Sequence, residues 1–149
     1  MQRFLSTIVN RLDAKGRVSV PAAFRQVLAQ ENLQGFYCIP SLSGSALEAF
    51  GGAMLEKTEA RLAQHDPLFS DEYDDEAYAV LGRAQFLKFD DEGRVTLPSD
   101  LAAHAGISER VAFIGLGTKF QIWDPGHFED NRVKRIERAR QRRAAGVSP

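Results

Sequence analysis

LDAKGRVSVPAAF, at residues 12–24, returns as FDDEGRVTLPSDL at residues 89–101. At a constant offset of 77 residues the Asp, Gly, Arg, Val and Pro positions of the two stretches are identical. Three further positions keep their chemical character, as in Ser19 and Thr96. Because the offset is about half of the 149-residue chain, we interpret the sequence as one unit used twice.

Each copy of the motif predicts a strand, a tight turn, a second strand and a helix. Asp stands first and Gly fourth in the turn, where Asp bonds its own backbone and Gly supplies a positive φ. These supporting residues are Asp13 and Gly16 in the first copy, and Asp90 and Gly93 in the second. The predicted strands before and after the turns are Thr7–Leu12, Arg17–Val20, Gln85–Phe89 and Arg94–Leu97.

A proline after each second strand favours a helix start, which predicts helices over Ala22–Gln30 and Ser99–Ala105, the second ended by Gly106. Apolar strand pairs follow, and a longer helix closes each copy. The pairs are Phe36–Ile39 with Ala46–Phe50 and Val111–Leu116 with Phe120–Trp123. The closing helices are Met54–His65 and one that begins with Asp124 as N-cap and Pro125 in its first turn.

These elements give an α+β chain with four parts. Residues 1–65 form the first repeat, 66–83 an acidic helical connector, 84–143 the second repeat with its C-terminal helix, and 144–149 a tail. In the connector, Ser70 is predicted to cap a helix whose first turn is acidic, which suits the helix dipole.

The composition is that of an ordinary globular domain, with 44% hydrophobic and 26% charged residues. The single cysteine, Cys38, lies in an apolar run and is predicted to be buried. The apolar stretch before Asn10 is too short for a signal peptide, and no run approaches the roughly 18 apolar residues of a membrane span. We therefore expect a cytoplasmic protein with no membrane partner.

The net charge of −1 hides two basic ends and an acidic middle. Residues 1–30 hold five Lys or Arg against one Asp, and residues 132–149 hold seven against one Glu. Residues 31–131 hold seven basic and eighteen acidic side chains. A local basic patch attracts phosphate whatever the total charge, although charge alone favours the simpler interpretation that both basic ends are merely solvated.

The sequence offers no recognisable catalytic constellation. None of the three histidines, His65, His104 and His127, has a second ligand at zinc-site spacing. The chain has one thiol and neither a Gly-x-Ser-x-Gly motif nor a phosphate-binding loop. We predict that the protein is not an enzyme and holds no cofactor or metal.

The turn of the first copy presents Arg17 and Lys15 from a hairpin anchored by apolar side chains. A rigid mount lets an arginine meet a phosphate, or the O6 and N7 atoms of guanine, in a fixed fork geometry. Arg17, Lys15, Arg94 and, more weakly, Arg11 are therefore the candidate DNA-binding residues. In the alternative interpretation, the Asp13–Arg17 and Asp90–Arg94 pairs are structural links within the fold.

The duplicated Asp-x-x-x-Arg-Val-[Ser/Thr]-x-Pro motif resembles that of the MraZ family of bacterial transcriptional regulators, and FQIW at 120–123 followed by a helix resembles the C-terminal half of that family. The resemblance covers roughly residues 1–140. It implies two tandem SpoVT–AbrB-like swapped-hairpin β-units that form a pseudo-two-fold barrel flanked by helices. It also implies a homo-oligomeric ring of about eight subunits.

The same resemblance implies a nucleoid-associated regulator that binds double-stranded DNA at tandem repeats in the promoter of the division and cell-wall gene cluster. The second turn departs from the first, because it carries Asp91 and Glu92 where the first has Ala14 and Lys15. We expect the first copy to dominate DNA contact. A protein-interaction module, such as an AbrB-type toxin antidote, stays open as the alternative function.

Overall fold

A computed structural model of the chain describes residues 3–147. The first two residues of the predicted first repeat and the last two of the predicted tail lie outside the described residues. The strands are β1 (Thr7–Arg11), β2 (Arg17–Ser19), β3 (Gly35–Pro40), β4 (Leu47–Phe50), β5 (Gln85–Lys88), β6 (Arg94–Thr96), β7 (Arg110–Gly115) and β8 (Phe120–Trp123). The helices are α1 (Ala22–Ala29), α2 (Gly52–Leu62), α3 (Asp71–Ala79), α4 (Ser99–Ala105) and α5 (Pro125–Ala144).

The α+β class is confirmed, and the strands of the two copies interleave in one antiparallel sheet. Its six strands run in the order β1-β7-β8-β4-β3-β5, and β2 and β6 form a separate two-stranded ribbon. The first strand of each copy pairs with the third strand of the other, β1 with β7 and β5 with β3. The fourth strands, β4 and β8, pair across the centre. Neither copy therefore completes its sheet without the other.

The six-stranded sheet is open, whereas the resemblance predicted a barrel. Within residues 3–147 no ladder joins its two end strands, β1 and β5. The second strand of each copy lies outside this sheet, because β2 and β6 bond to each other, with Val18 opposite Val95. The ribbon lies beside the open sheet: the side-chain amide of Asn10 in β1 donates to the Ser19 carbonyl in β2 at 2.7 Å.

A cluster of buried phenylalanines ties the two copies together. The Phe120 ring lies 4.9–5.0 Å, centroid to centroid, from the rings of Phe4, Phe24 and Phe36. Phe113 completes the cluster at 6.3 Å. The rings come from the N-terminal segment, from α1 and from strands of both copies, so the core forms only when the copies interleave.

Several local predictions are confirmed at the level of single atoms. Ser70 Oγ accepts a hydrogen bond from the Tyr73 N–H at 3.2 Å, and Asp124 Oδ2 accepts one from the His127 N–H at 3.1 Å. Gly106 ends α4 in the left-handed conformation, with φ +64°. Such caps depend on neighbours within a few residues, and sequence alone therefore predicts them well.

One helix begins and ends earlier than predicted. The sequence predicted Met54–His65, and α2 covers Gly52–Leu62. Its first turn is fixed by Glu31, whose Oε1 accepts a hydrogen bond from the Ala53 N–H at 2.8 Å. This cap comes from 22 residues away, so no local pattern announces it.

Cys38 is buried, as predicted. Burial, reinforced by the negative charge of Glu48 and Asp100, raises the pKa of its thiol to about 12. The thiol therefore stays protonated at neutral pH and behaves as a small apolar group. None of the helices in residues 3–147 combines the length and apolar character needed to cross a membrane.

Candidate nucleic-acid interface

The first turn is held by a single carboxylate. Asp13 Oδ1 accepts hydrogen bonds from the backbone N–H groups of Lys15 and Arg17, both at 2.9 Å. Asp13 Oδ2 accepts from Arg17 Nε at 2.8 Å. Gly16, with φ +77°, allows the chain to reverse, and its N–H donates to the Asp13 carbonyl at 3.0 Å. Both the backbone of the turn and the direction of the arginine are thus fixed by Asp13.

The second turn repeats this arrangement atom for atom. Asp90 Oδ1 accepts from the N–H groups of Glu92 and Arg94 at 2.9 Å, and Oδ2 accepts from Arg94 Nε at 2.9 Å. Gly93 has φ +76°. The same local sequence therefore gives the same turn, although the side chains around it differ.

The ribbon of β2 and β6 joins the two turns into one unit. The Val20 N–H donates to the Gly93 carbonyl at 3.1 Å, and the Leu97 N–H donates to the Gly16 carbonyl at 2.8 Å. Val18 and Val20, the apolar side chains that anchor the first hairpin, are both buried. Each turn is therefore anchored through a strand of the other copy, which gives its arginine a rigid mount.

The two arginines differ in what they leave available to a ligand. Arg17 uses Nε to bond Asp13, and within residues 3–147 no hydrogen bond or ion pair engages its two terminal amino groups. Arg94 uses Nε in the same way, but its Nη1 lies 3.6 Å from a Glu92 carboxylate oxygen. The first turn also exposes Lys15. It therefore presents more unneutralised positive charge than the second.

Arg11 lies exposed at the end of β1, close to the first turn, and stands directly opposite Arg110 of β7. Like charges opposite each other in an antiparallel pair are destabilising, and here they raise the positive potential beside the turn. Sequence reasoning missed Arg110 because the pairing of β1 with a strand of the other copy has no local signal.

A second missed residue is Arg25 of α1. Its Nε donates to the Val20 carbonyl at 3.1 Å, and its guanidinium lies against Gly93 of the second turn. The sequence signal was an asymmetry between the copies: position 25 is Arg, whereas the equivalent position 102 is Ala. What the guanidinium contacts depends on how the copies pack, which the sequence does not show.

The two turn carboxylates have lowered pKa values. For Asp13 the main cause is the hydrogen bond from the Arg17 backbone N–H, and the Arg17 side chain adds to it. For Asp90 the main cause is the corresponding N–H of Arg94. Hydrogen bonds to a charged carboxylate favour that form. The turns are therefore built for ionised aspartates.

Acid should weaken the turns. A carboxyl group whose pKa is lowered on folding stabilises the native state above its ordinary pKa of 3.8, and this contribution is lost as the pH falls through the lowered value. Urea unfolding at a series of pH values should show the loss in the wild-type protein. The double variant Asp13→Asn with Asp90→Asn keeps an acceptor oxygen without a charge, so its stability should change less over the same pH range. Equal pH dependence of the two proteins would contradict this origin.

Residues 3–147 contain no cluster of three or more His, Cys, Asp or Glu side chains arranged to hold a metal ion. The geometry instead defines a class of duplicated α+β protein in which two Asp-held arginine turns are mounted on one shared ribbon.

Comparison with known proteins gives the family. A family model described as "MraZ protein, putative antitoxin-like" matches residues 80–145. Three relatives named "Transcriptional regulator MraZ" align over both copies. The protein of Xanthobacter autotrophicus is 44% identical over 97% of this chain and 92% of its own length. That of Azorhizobium caulinodans is 44% identical over 98% and 93%, and that of Rickettsia canadensis 45% over 87% and 86%. The chain belongs to the MraZ family.

Proposed function

We propose that this protein is a transcriptional regulator that binds double-stranded DNA sequence-specifically, with Arg17 as its principal base-reading residue. The observation that carries the proposal is how the Arg17 side chain is held. Asp13 fixes the Nε of Arg17, and within residues 3–147 its terminal amino groups are left for a ligand. A guanidinium presented in this way suits the O6 and N7 acceptors of guanine in the major groove.

The other candidate residues have supporting roles in this proposal. Lys15 and Arg11 are exposed beside the first turn and attract phosphate. Arg94, close to Glu92, contributes less to DNA contact and more to holding its turn. The whole unit is of the swapped-hairpin type, organised about the pseudo-two-fold axis of the β2–β6 ribbon. Binding of this kind uses no catalysis and no cofactor.

The proposed target is a set of tandem repeats in the promoter of the division and cell-wall gene cluster, which places the protein on the nucleoid. The names of the relatives support regulation of transcription. The test is a gel shift with the DNA upstream of the chain's own gene, against a shuffled duplex of equal length and composition. Selective retardation of the upstream DNA is expected. Equal binding to both duplexes, or none, would favour the alternative of a protein-interaction module, which the words "antitoxin-like" in the family description also suggest.

A homo-oligomer, with a ring of about eight subunits as the proposed form, accompanies this function. One chain offers two turns, a small footprint for a specific DNA interface, whereas several turns at fixed spacing gain avidity on tandem repeats. The outer part of α5 supports assembly, because its apolar side chains Val133 and Ile136 are exposed.

Light scattering at micromolar concentration should give a mass several times the 16.5 kDa of one chain. A monomeric mass would contradict the oligomer while leaving the gel shift as a separate test of DNA binding.

A further inference from the structure

The second turn has a cation that its own copy does not encode. Position 15 of the first turn is Lys, and the equivalent position of the second is Glu92. Arg25, from α1 of the first copy, supplies the second turn with the positive charge that it lacks at this position. A Cβ atom placed on Gly93 would lie 2.7 Å from Arg25 Cζ and 2.8 Å from its Nη1, so the guanidinium lies directly on the turn backbone.

Within residues 3–147 the first turn has no such neighbour. The residue equivalent to Arg25 is Ala102, and a Cβ atom placed on Gly16 would meet only the Leu97 carbonyl oxygen, at 3.8 Å. The packing of the Arg25 guanidinium against Gly93 therefore occurs at one end of the β2–β6 ribbon. It is fixed by the hydrogen bond from Arg25 Nε to the Val20 carbonyl.

The guanidinium faces an open cleft. Arg25, Lys88 and Asp91 are among the residues that line a cleft of about 400 Å³ between α1 and the second turn. Within residues 3–147 no carboxylate oxygen lies within 4 Å of the Arg25 nitrogens, although Asp90 and Asp91 border the same cleft. Arg25 is half-buried, so its stem is fixed while its charge stays accessible.

We propose that Arg25 is the phosphate-binding residue of the second turn, supplied by the first copy, and that the DNA backbone contacts the protein there through Arg25 and Lys88. This inference rests on the proposed function and assigns different tasks to the two ends of the ribbon. The first turn reads bases through Arg17, and the second holds the duplex in register through a backbone contact. Backbone contacts of this kind position a protein on DNA without reading its sequence.

The test compares Arg25→Gln, which removes the positive charge, with Arg25→Lys, which keeps the charge but lacks the forked N–H donors of a guanidinium. Affinity for the upstream duplex is measured at 50 and 200 mM salt, and thermal melting is followed for each protein. For B-DNA, the logarithm of the binding constant falls with the logarithm of the salt concentration, with a slope of about −0.9 for each phosphate that the protein neutralises. Losing one such phosphate contact therefore lowers the ratio of the affinity at 50 mM to the affinity at 200 mM salt about threefold. We expect this lower ratio in Arg25→Gln, whereas Arg25→Lys should keep a ratio close to that of the wild type. Arg25→Gln should lose the same fraction of its affinity on the upstream duplex and on the shuffled duplex. Arg61→Ala, on α2, which packs against α3 and β3, is the control and should leave the ratio unchanged.

Two results would overturn the inference. One is a folded Arg25→Gln protein with the wild-type salt dependence. The other is an Arg25→Lys protein that binds as weakly as Arg25→Gln and melts equally early, because the residue would then act through packing alone. If Arg17→Ala weakens binding and Arg25→Gln does not, only this inference fails. If the wild-type protein itself does not bind the upstream duplex, the proposed function fails as well.

Discussion

Replacing Arg17 by alanine is expected to weaken binding to the upstream DNA by about 1–3 kcal/mol for each subunit engaged, and to relax specificity at one position of the repeat. The reason is that Asp13 holds the guanidinium in one orientation, and its terminal amino groups, which nothing engages within residues 3–147, would form the fork that recognises guanine. In an oligomer that engages several repeats, the losses accumulate. The measurement is a set of binding isotherms on the upstream duplex and on single-base variants of it.

Two matched variants separate base reading from charge and from folding. Lys15→Ala should weaken binding to all duplexes alike and lower the salt dependence, as expected for a phosphate contact. Arg94→Ala should cost less affinity, because Glu92 already lies beside its guanidinium, and should act mainly by lowering the melting temperature. An Arg94→Ala protein that melts normally and loses binding as fully as Arg17→Ala would contradict the difference between the turns.

The second large effect concerns the core. Phe120→Ala should lower the free energy of unfolding by about 3–5 kcal/mol, the usual cost of truncating a fully buried aromatic side chain. The Phe120 ring contacts rings from both copies and is completely buried, so a cavity would open where the copies meet. Urea unfolding followed by circular dichroism would measure the loss.

Phe69→Ala is the matched control, since this side chain is 86% exposed in the connector. Its free energy of unfolding should stay within about 0.5 kcal/mol of the wild type. Equal losses in the two variants would mean that the phenylalanine cluster is not the part of the core that holds the copies together.

The local features of the fold could be predicted from sequence because their causes are local. The Asp-x-x-Gly pattern predicts the turns, since the aspartate bonds the backbone within four residues of itself. Helix α4 and strand β8 have the predicted bounds, and Asp124 caps α5 as expected. The predicted start of α2 was wrong because its cause is not local: the capping group, Glu31, belongs to a distant part of the chain.

The candidate site divides in the same way. The sequence predicted Arg17 and Lys15 as candidate residues and Asp13 as their support, because all three lie within residues 13–17. The neighbours of the turns could not be identified. Arg110 lies opposite Arg11, beside the first turn, through the pairing of β1 with β7, and Arg25 reaches the second turn through the packing of α1 across the copies.

By itself, the sequence determined that the chain is a duplicated α+β unit with two Asp-held arginine turns, because a repeated motif produces the same short-range hydrogen bonds wherever it occurs. The three-dimensional structure was needed to show how the copies interleave, that the sheet stays open, and which turn receives an additional cation. Strand pairing and helix packing join residues far apart in the chain, and many pairings satisfy the same apolar pattern. The choice among them is made when the phenylalanine cluster of both copies is buried as one core.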